Sequence, residues 1–169
     1  MADVLLATDA DWIAEEVEAA LGGDHEVVRV RRGADVGPAV AARTPELAIL
    51  DLQIGNMGGM ATGMHLHLEA GAGRLPRVPV LMLLDRDADV FLARRSEADG
   101  WMVKPIDAFR LRKAVRALLA GDRWTEGDPA WAAPMPSAFA PPTGAAALAP
   151  EPEPEPEPDP AGSLATGPE

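Results

Sequence analysis

Residues 1–121 predict an α/β fold built on a parallel sheet with helices on both faces, and three observations carry that prediction. Apolar runs of strand length alternate with amphipathic runs of helix length, the pair repeats five times, and the fourth apolar run, residues 78–84, contains no charged residue at all. A sheet with one wet face alternates apolar and polar residues along each strand, whereas a strand covered on both faces is apolar throughout.

Each element follows from its own pattern. Residues 4–7 are a short apolar strand, and Asp11 is placed to cap a helix on which Ile13, Val17 and Leu21 recur every four residues until Gly22-Gly23 ends it. Residues 26–30 alternate as a second strand; Val36 and Val40 share one face of a small helix that Thr44-Pro45 closes. Residues 47–52 form the third strand. After a glycine-rich loop, Met60, Met64 and Leu68 mark a helix face that runs to Gly71-Ala72-Gly73. The fourth strand is followed by a helix opened by Asp87 or Asp89 and running through Val90, Leu92 and Ala93 to about Glu97. Residues 101–103 are a fifth strand, and Asp107 caps a last helix with Leu111, Val115, Leu118 and Leu119 on its apolar side.

Beyond Gly121 the periodicity stops. Twelve of the seventeen prolines lie there among Ala, Gly and acids, which predicts a disordered tail over residues 122–169, with an extended rod of roughly 31 Å where acid and proline alternate from Glu151 to Pro160. Trp124 and Trp131 stand out in that polar stretch, either folding back on the domain or marking a short partner-binding segment.

The net charge is −12, of which the tail accounts for −8, and no basic stripe is present to neutralise a phosphate backbone, so a nucleic-acid partner is not expected. The absence of cysteine excludes disulfides and thiolate metal sites. No apolar run reaches the ~18 residues of a membrane span and no leader pattern precedes the first strand. The expectation is a soluble, cytoplasmic protein without direct membrane insertion. Heavy use of Ala, Gly, Pro and Arg suggests a GC-rich bacterial genome.

In such sheets ligand sites lie at the carboxyl ends of the strands. Asp9, Asp51, Leu84-Asp85 and Lys104 all fall there. A carboxylate accepts a phosphoryl group when a divalent cation neutralises the incoming oxygens and an ammonium holds another of them. Asp51 is then the candidate acceptor, Asp9, Asp51 and the backbone carbonyl of Gln53 the candidate Mg²⁺ ligands, and Lys104 the cation.

Asp9, the run Asp51-Leu52-Gln53-Ile54-Gly55-Asn56-Met57-Gly58-Gly59 and the run Ala98-Asp99-Gly100-Trp101-Met102-Val103-Lys104-Pro105 together resemble the receiver domain of bacterial response regulators, the CheY-like family. The resemblance covers residues 1–121. It implies a flavodoxin-like (βα)5 fold with sheet order 2-1-3-4-5, phosphoryl transfer from a histidine kinase to Asp51, and a signal passed through the face of the fourth helix, fifth strand and fifth helix. It further implies a cis peptide at Lys104-Pro105 and an aromatic switch role for Trp101, compatible with ordinary packing there.

Four positions depart from the family pattern. Thr8 replaces the first of two adjacent acids, removing a charge from the metal site. Leu84 stands where a Ser or Thr would bond the phosphoryl group, so the usual switch has lost its hydrogen bond. Asp85 replaces a small residue and would repel a phosphoryl group unless a cation intervenes. Gly55 replaces a proline, which is expected to loosen the loop.

Two functions follow from that mixture. The first is an atypical stand-alone receiver, not an enzyme, that binds a protein partner through the helical face, in signalling or as an accessory subunit, with Asp51 and Asp9 kept partly for structure. The second is a phosphorelay receiver phosphorylated on Asp51 with Mg²⁺. No output domain follows, so the signal is expected to pass by protein contact; Arg110, Arg112, Lys113 and Arg116 offer either a basic docking face or a solvated one. The runs Leu81-Met82-Leu83-Leu84-Asp85-Arg86 and Val90-Phe91-Leu92-Ala93-Arg94-Arg95-Ser96 resemble orphan single-domain receivers associated with respiratory NADH–quinone oxidoreductase, which implies that complex as a partner. A haloacid dehalogenase phosphatase would need an acid at Gln53, and His25, His65 and His67 lack the spacing of a metal site.

Overall fold

A computed structural model describes residues 1–126. The expected disorder over residues 127–169 and the role of Trp131 lie outside those residues. The chain runs β1 (Asp3–Ala7), α1 (Asp11–Leu21), β2 (Glu26–Val30), α2 (Val36–Ala42), β3 (Leu47–Asp51), α3 (Gly59–Gly71), β4 (Val80–Leu84), α4 (Val90–Arg95), β5 (Gly100–Val103), α5 (Ala108–Leu119) and β6 (Trp124–Thr125). Single 3₁₀ turns, Gly33–Asp35 and Asp87–Asp89, lead into α2 and α4.

All strands are parallel, in the order β2-β1-β3-β4-β5-β6. The expected 2-1-3-4-5 sheet is therefore present, extended by one short strand at the β5 edge. Order in the chain reaches at least Glu126, past the boundary placed at residue 121, because Trp124 packs partly buried against the core beneath α5.

Side chains alternate between two cores, as a pleated strand requires. On one face Val4, Leu6, Ile49, Leu81, Leu83 and Met102 meet α1 and α5. On the other, Leu5, Ala48, Leu50, Val80, Met82 and Leu84 meet the layer holding α2, α3 and α4. Every residue of β3 and β4 is buried, which is why those runs carry no polar alternation.

Three local expectations change. Ala10, not Asp11, is the N-cap of α1; Asp11 lies in the first turn and bonds Arg29 and Arg31 instead. The buried face of α3 is Gly59, Thr62, Gly63 and Leu66, while Leu68 is 61% exposed and Met60 and Met64 are only partly buried. On that face Gly63 packs against Ser96 at the end of α4, where an added Cβ would come into ordinary contact, 3.4 Å from the Ser96 Cβ. Helix α4 stops at Arg95, short of Glu97, whose φ of 59° belongs to the left-handed region. Asp107 does cap α5, accepting from the Arg110 amide at 2.9 Å.

Candidate functional site

The parallel register sets Ala7 beside Leu50, Asp51 beside Leu83 and Leu84 beside Val103, so the residues that follow these strands converge at one end of the sheet. Asp51 ends β3 and is 2% exposed. A carboxylate that deep must be paired or hydrogen-bonded, and this one is both. Its Oδ1 accepts from Lys104 Nζ at 2.7 Å and from the Gln53 amide at 3.1 Å; its Oδ2 accepts from the Thr8 hydroxyl at 2.9 Å.

Lys104, 10% exposed, also donates to Asp85 Oδ1 at 3.0 Å. It is the intervening cation that the sequence left open, and it links the acceptor position to Asp85. The Trp12 ring lies 5.9 Å from the ammonium and walls the site on the α1 side. Thr8 is fully buried and held from both ends: Arg29 Nε donates to its carbonyl at 3.0 Å, and its hydroxyl accepts from the Ala10 amide at 3.2 Å. Arg29 and Arg31 hold the Asp11 carboxyl below its ordinary range, so Asp11 is committed to that anchor and does not substitute for the missing acid.

Asp9 lies on the exposed rim, its Oδ2 accepting from the Gly55 amide at 3.1 Å. This bond ties the loop down where looseness was expected, and it asks of residue 55 only a backbone N–H. A Cβ on residue 55 would stand 3.0 Å from that oxygen, and a proline would remove the N–H. The loop is tied down further: Gly55 O accepts from Gly33 at 3.2 Å and from Met57 at 3.0 Å, and Gly59 N bonds Leu52 O at 3.0 Å. Gly33 permits this approach, since a Cβ there would fall 1.8 Å from the Met57 carbonyl oxygen.

Leu84 is fully buried in the core and offers the site only its carbonyl, which accepts from the Lys104 amide at 2.8 Å. The Lys104–Pro105 peptide is cis. Trp101 is 4% exposed and points away from Asp51: its indole N–H donates to the Glu126 carbonyl at 2.7 Å, and Arg94 lies 5.7 Å from its ring centre. Thus Thr8, Asp51, Asp85 and Lys104 form one bonded unit, Asp9 and Gln53 flank it, and Leu84, Trp101 and Pro105 frame it.

PilH of Pseudomonas aeruginosa is 25% identical over 122 residues, which cover 72% of this chain and the whole of that protein. The crystallised signal receiver domain of a histidine kinase from Syntrophus aciditrophicus superposes with a TM-score of 0.63 at 26% identity, over 72% of this chain and 92% of that one. The chain carries a CheY-like response regulator receiver domain. The same receiver region is 31% identical over 119 residues to the transcriptional regulatory protein CseB of Streptomyces avermitilis, covering 69% of this chain. It is 30% identical over 130 residues to the DNA-binding response regulator MtrA of Mycolicibacterium smegmatis, covering 75%. The chain spans about half the length of those two regulators, 48% and 53%. No family model matches the chain.

Receivers generally take Mg²⁺ beside the acceptor, and the residues here do not fit that ion as arranged. Magnesium needs hard oxygen ligands in near-octahedral array. Both Asp51 oxygens are already engaged, Thr8 donates where an acid would ligate, and the described residues contain no group of three acidic or imidazole side chains able to hold a metal. Where a second acid would draw a cation, the receiver has closed the carboxylate with a hydroxyl.

Among the described residues no helix is long and apolar enough to cross a membrane. The basic face expected on α5 is partly consumed: Arg110 pairs with Glu126, and Arg112 Nε donates to the Ala20 carbonyl at 2.8 Å. Glu126 and Trp12 are the contributors that sequence reasoning passed over. Trp12 had a signal, a large aromatic three residues after an acidic strand end; Glu126 had only the nearby Trp124.

Proposed function

We propose that this receiver is an atypical, cytoplasmic signalling module that binds a protein partner through the face of α4, β5 and α5 without needing phosphorylation. Asp51 then serves as the buried anchor of Thr8 and Lys104. The observation that supports this reading is the closure of Asp51 by three donors, with Lys104 shared between it and Asp85. Leu84 adds to it, since a buried leucine has no hydroxyl to follow a phosphoryl group inward. On the proposed face Phe91 and Phe109 are 61% and 63% exposed, and Lys113 Nζ lies 4.5 Å from the Phe109 ring centre, an apolar and cationic surface suited to a protein.

The test is incubation with acetyl phosphate, or beryllofluoride, in Mg²⁺, read by intact mass and by Trp101 fluorescence. No stable adduct is expected on Asp51, and Asp51→Asn is expected to capture the same partners as wild type in a pull-down. A stoichiometric adduct that changes the captured set would overturn the reading. The same pull-down tests the two partners considered from sequence, a histidine kinase and respiratory NADH–quinone oxidoreductase.

The competing reading, a phosphorelay receiver, is favoured by one observation: Lys104 stands 2.7 Å from Asp51, as a cation must to steady a transferred phosphoryl group. On that reading Asp51 must first release Thr8, so labelling should be slow and faster in Thr8→Ala.

A further inference from the structure

The edge of β5 is the middle of the face proposed to meet a partner, and the chain itself lies on it. Residues Trp124 and Thr125 pair with Gly100 and Trp101 in parallel register. Gly100 makes the approach feasible, since a Cβ there would stand 2.7 Å from the Trp124 carbonyl oxygen. Glu126 then completes the contact. Its carbonyl accepts from the Trp101 indole at 2.7 Å, its carboxylate receives both arms of the Arg110 guanidinium, and its Oε2 lies 3.4 Å from the Val103 amide. Arg110 reaches Val103 O at 3.1 Å as well, so it sits across strand and ligand together.

This is the anatomy of strand addition: main-chain pairing supplies affinity, while a side-chain pocket and a guanidinium fork supply selectivity. The attachment is also short, two paired residues, and it buries the Trp124 indole N–H with no acceptor among the described residues. An element with few bonds and an unpaired buried donor is drawn from the least stable part of a fold.

We infer that Trp124–Glu126 is an internal occupant of a strand-binding edge, and that the edge takes, when this segment leaves, an extended acidic segment of a partner protein whose carboxylate pairs with Arg110. The inference rests on the reading that this face meets a partner, but not on the state of Asp51. It gives the interaction a condition: the partner strand competes with the chain's own.

The experiment uses the full chain and a synthetic peptide of residues 122–128, so it involves no unidentified partner and its failure leaves the proposed function standing. Amide hydrogen exchange is expected to show Trp101 and Val103 opening at least tenfold faster than the amides of β3 and β4. In Glu126→Ala the labelled peptide is expected to bind at least tenfold more tightly than to wild type, and a peptide carrying Glu126→Lys is expected not to bind. Exchange of β5 only by global unfolding, in wild type or should the variant not fold, would overturn the inference. So would equal binding of the two peptides. Concentration-dependent dimerisation of the wild type with the same protection would overturn it in favour of segment exchange between copies.

Discussion

The Thr8 hydroxyl donates to Asp51 Oδ2 at 2.9 Å, putting a neutral group where receivers commonly present a second acid. Removing that donor while keeping the shape, Thr8→Val, leaves a buried carboxylate oxygen without its partner. The expected cost is about 1–3 kcal/mol, read as a lower urea midpoint with unchanged slope. Thr8→Asp is expected to melt lower than wild type without metal and to gain stability in millimolar Mg²⁺, whereas wild type gains little. A wild-type gain equal to that of Thr8→Asp would contradict the misfit of this site to magnesium.

Lys104 and Asp85 are partners of unequal weight. Lys104→Met strands the carboxylate of Asp51, 2% exposed, and should cost roughly 3–5 kcal/mol. Asp85 keeps 34% of its side chain in water, so Asp85→Asn should change stability by less than about 1 kcal/mol. Chemical denaturation of the two variants checks the ranking, and acetyl phosphate labelling should rise in Asp85→Asn because one carboxylate fewer opposes the incoming anion.

Gly33 controls the loop after Asp51 from a different element. An added methyl meets the Met57 carbonyl oxygen 1.8 Å away, a contact that backbone on both sides must yield to relieve. Gly33→Ala should destabilise the domain by about 1–3 kcal/mol or more. Amide exchange at Gly55 and Met57 should quicken beyond what the stability loss explains, since the Gly33–Gly55 hydrogen bond is lost with it.

His67 gives the fold a pH dependence. Burial, then Arg77, holds its imidazole below the ordinary value of 6.5, with Asp99, Glu97 and the Ser96 carbonyl opposing. The neutral ring bonds Ser96 O through Nδ1 at 2.8 Å, and Nε2 is buried with no partner among the described residues. With the folded pKa below the unfolded one, the unfolded chain binds more protons as pH falls through 6.5, so stability drops below that pH. A series of thermal melts from pH 7 to 5 should show the fall in wild type and a shallower one in His67→Asn, which keeps a donor toward Ser96.

By itself the sequence determined the layered α/β fold and the strand ends that hold Asp9, Asp51 and Lys104, because hydrophobic period and parallel-sheet burial are local properties summed along the chain. The apolar run of β3 up to Asp51 and the wholly apolar β4 could be buried only between two helical layers, and the carboxyl ends of such strands are where side chains converge. It also named Thr8, Leu84 and Asp85 as departures, since identity at a position needs no coordinates.

What only the tertiary structure decided are relations between distant residues. Lys104 spans 53 positions to reach Asp51 and then shares itself with Asp85, a choice that depends on distances of 2.7 and 3.0 Å. The buried face of α3 went to Thr62, Gly63 and Leu66, with Gly63 seated against Ser96 of another element, where an added Cβ would come into contact 3.4 Å from the Ser96 Cβ. Strand β6 was read as tail because two paired residues carry no periodicity, and their stability comes from Gly100, Trp101 and Arg110, which lie 16 to 25 positions away from their partners in Trp124 and Glu126. Pairing across such separations is fixed by packing, and packing is a property of the folded chain.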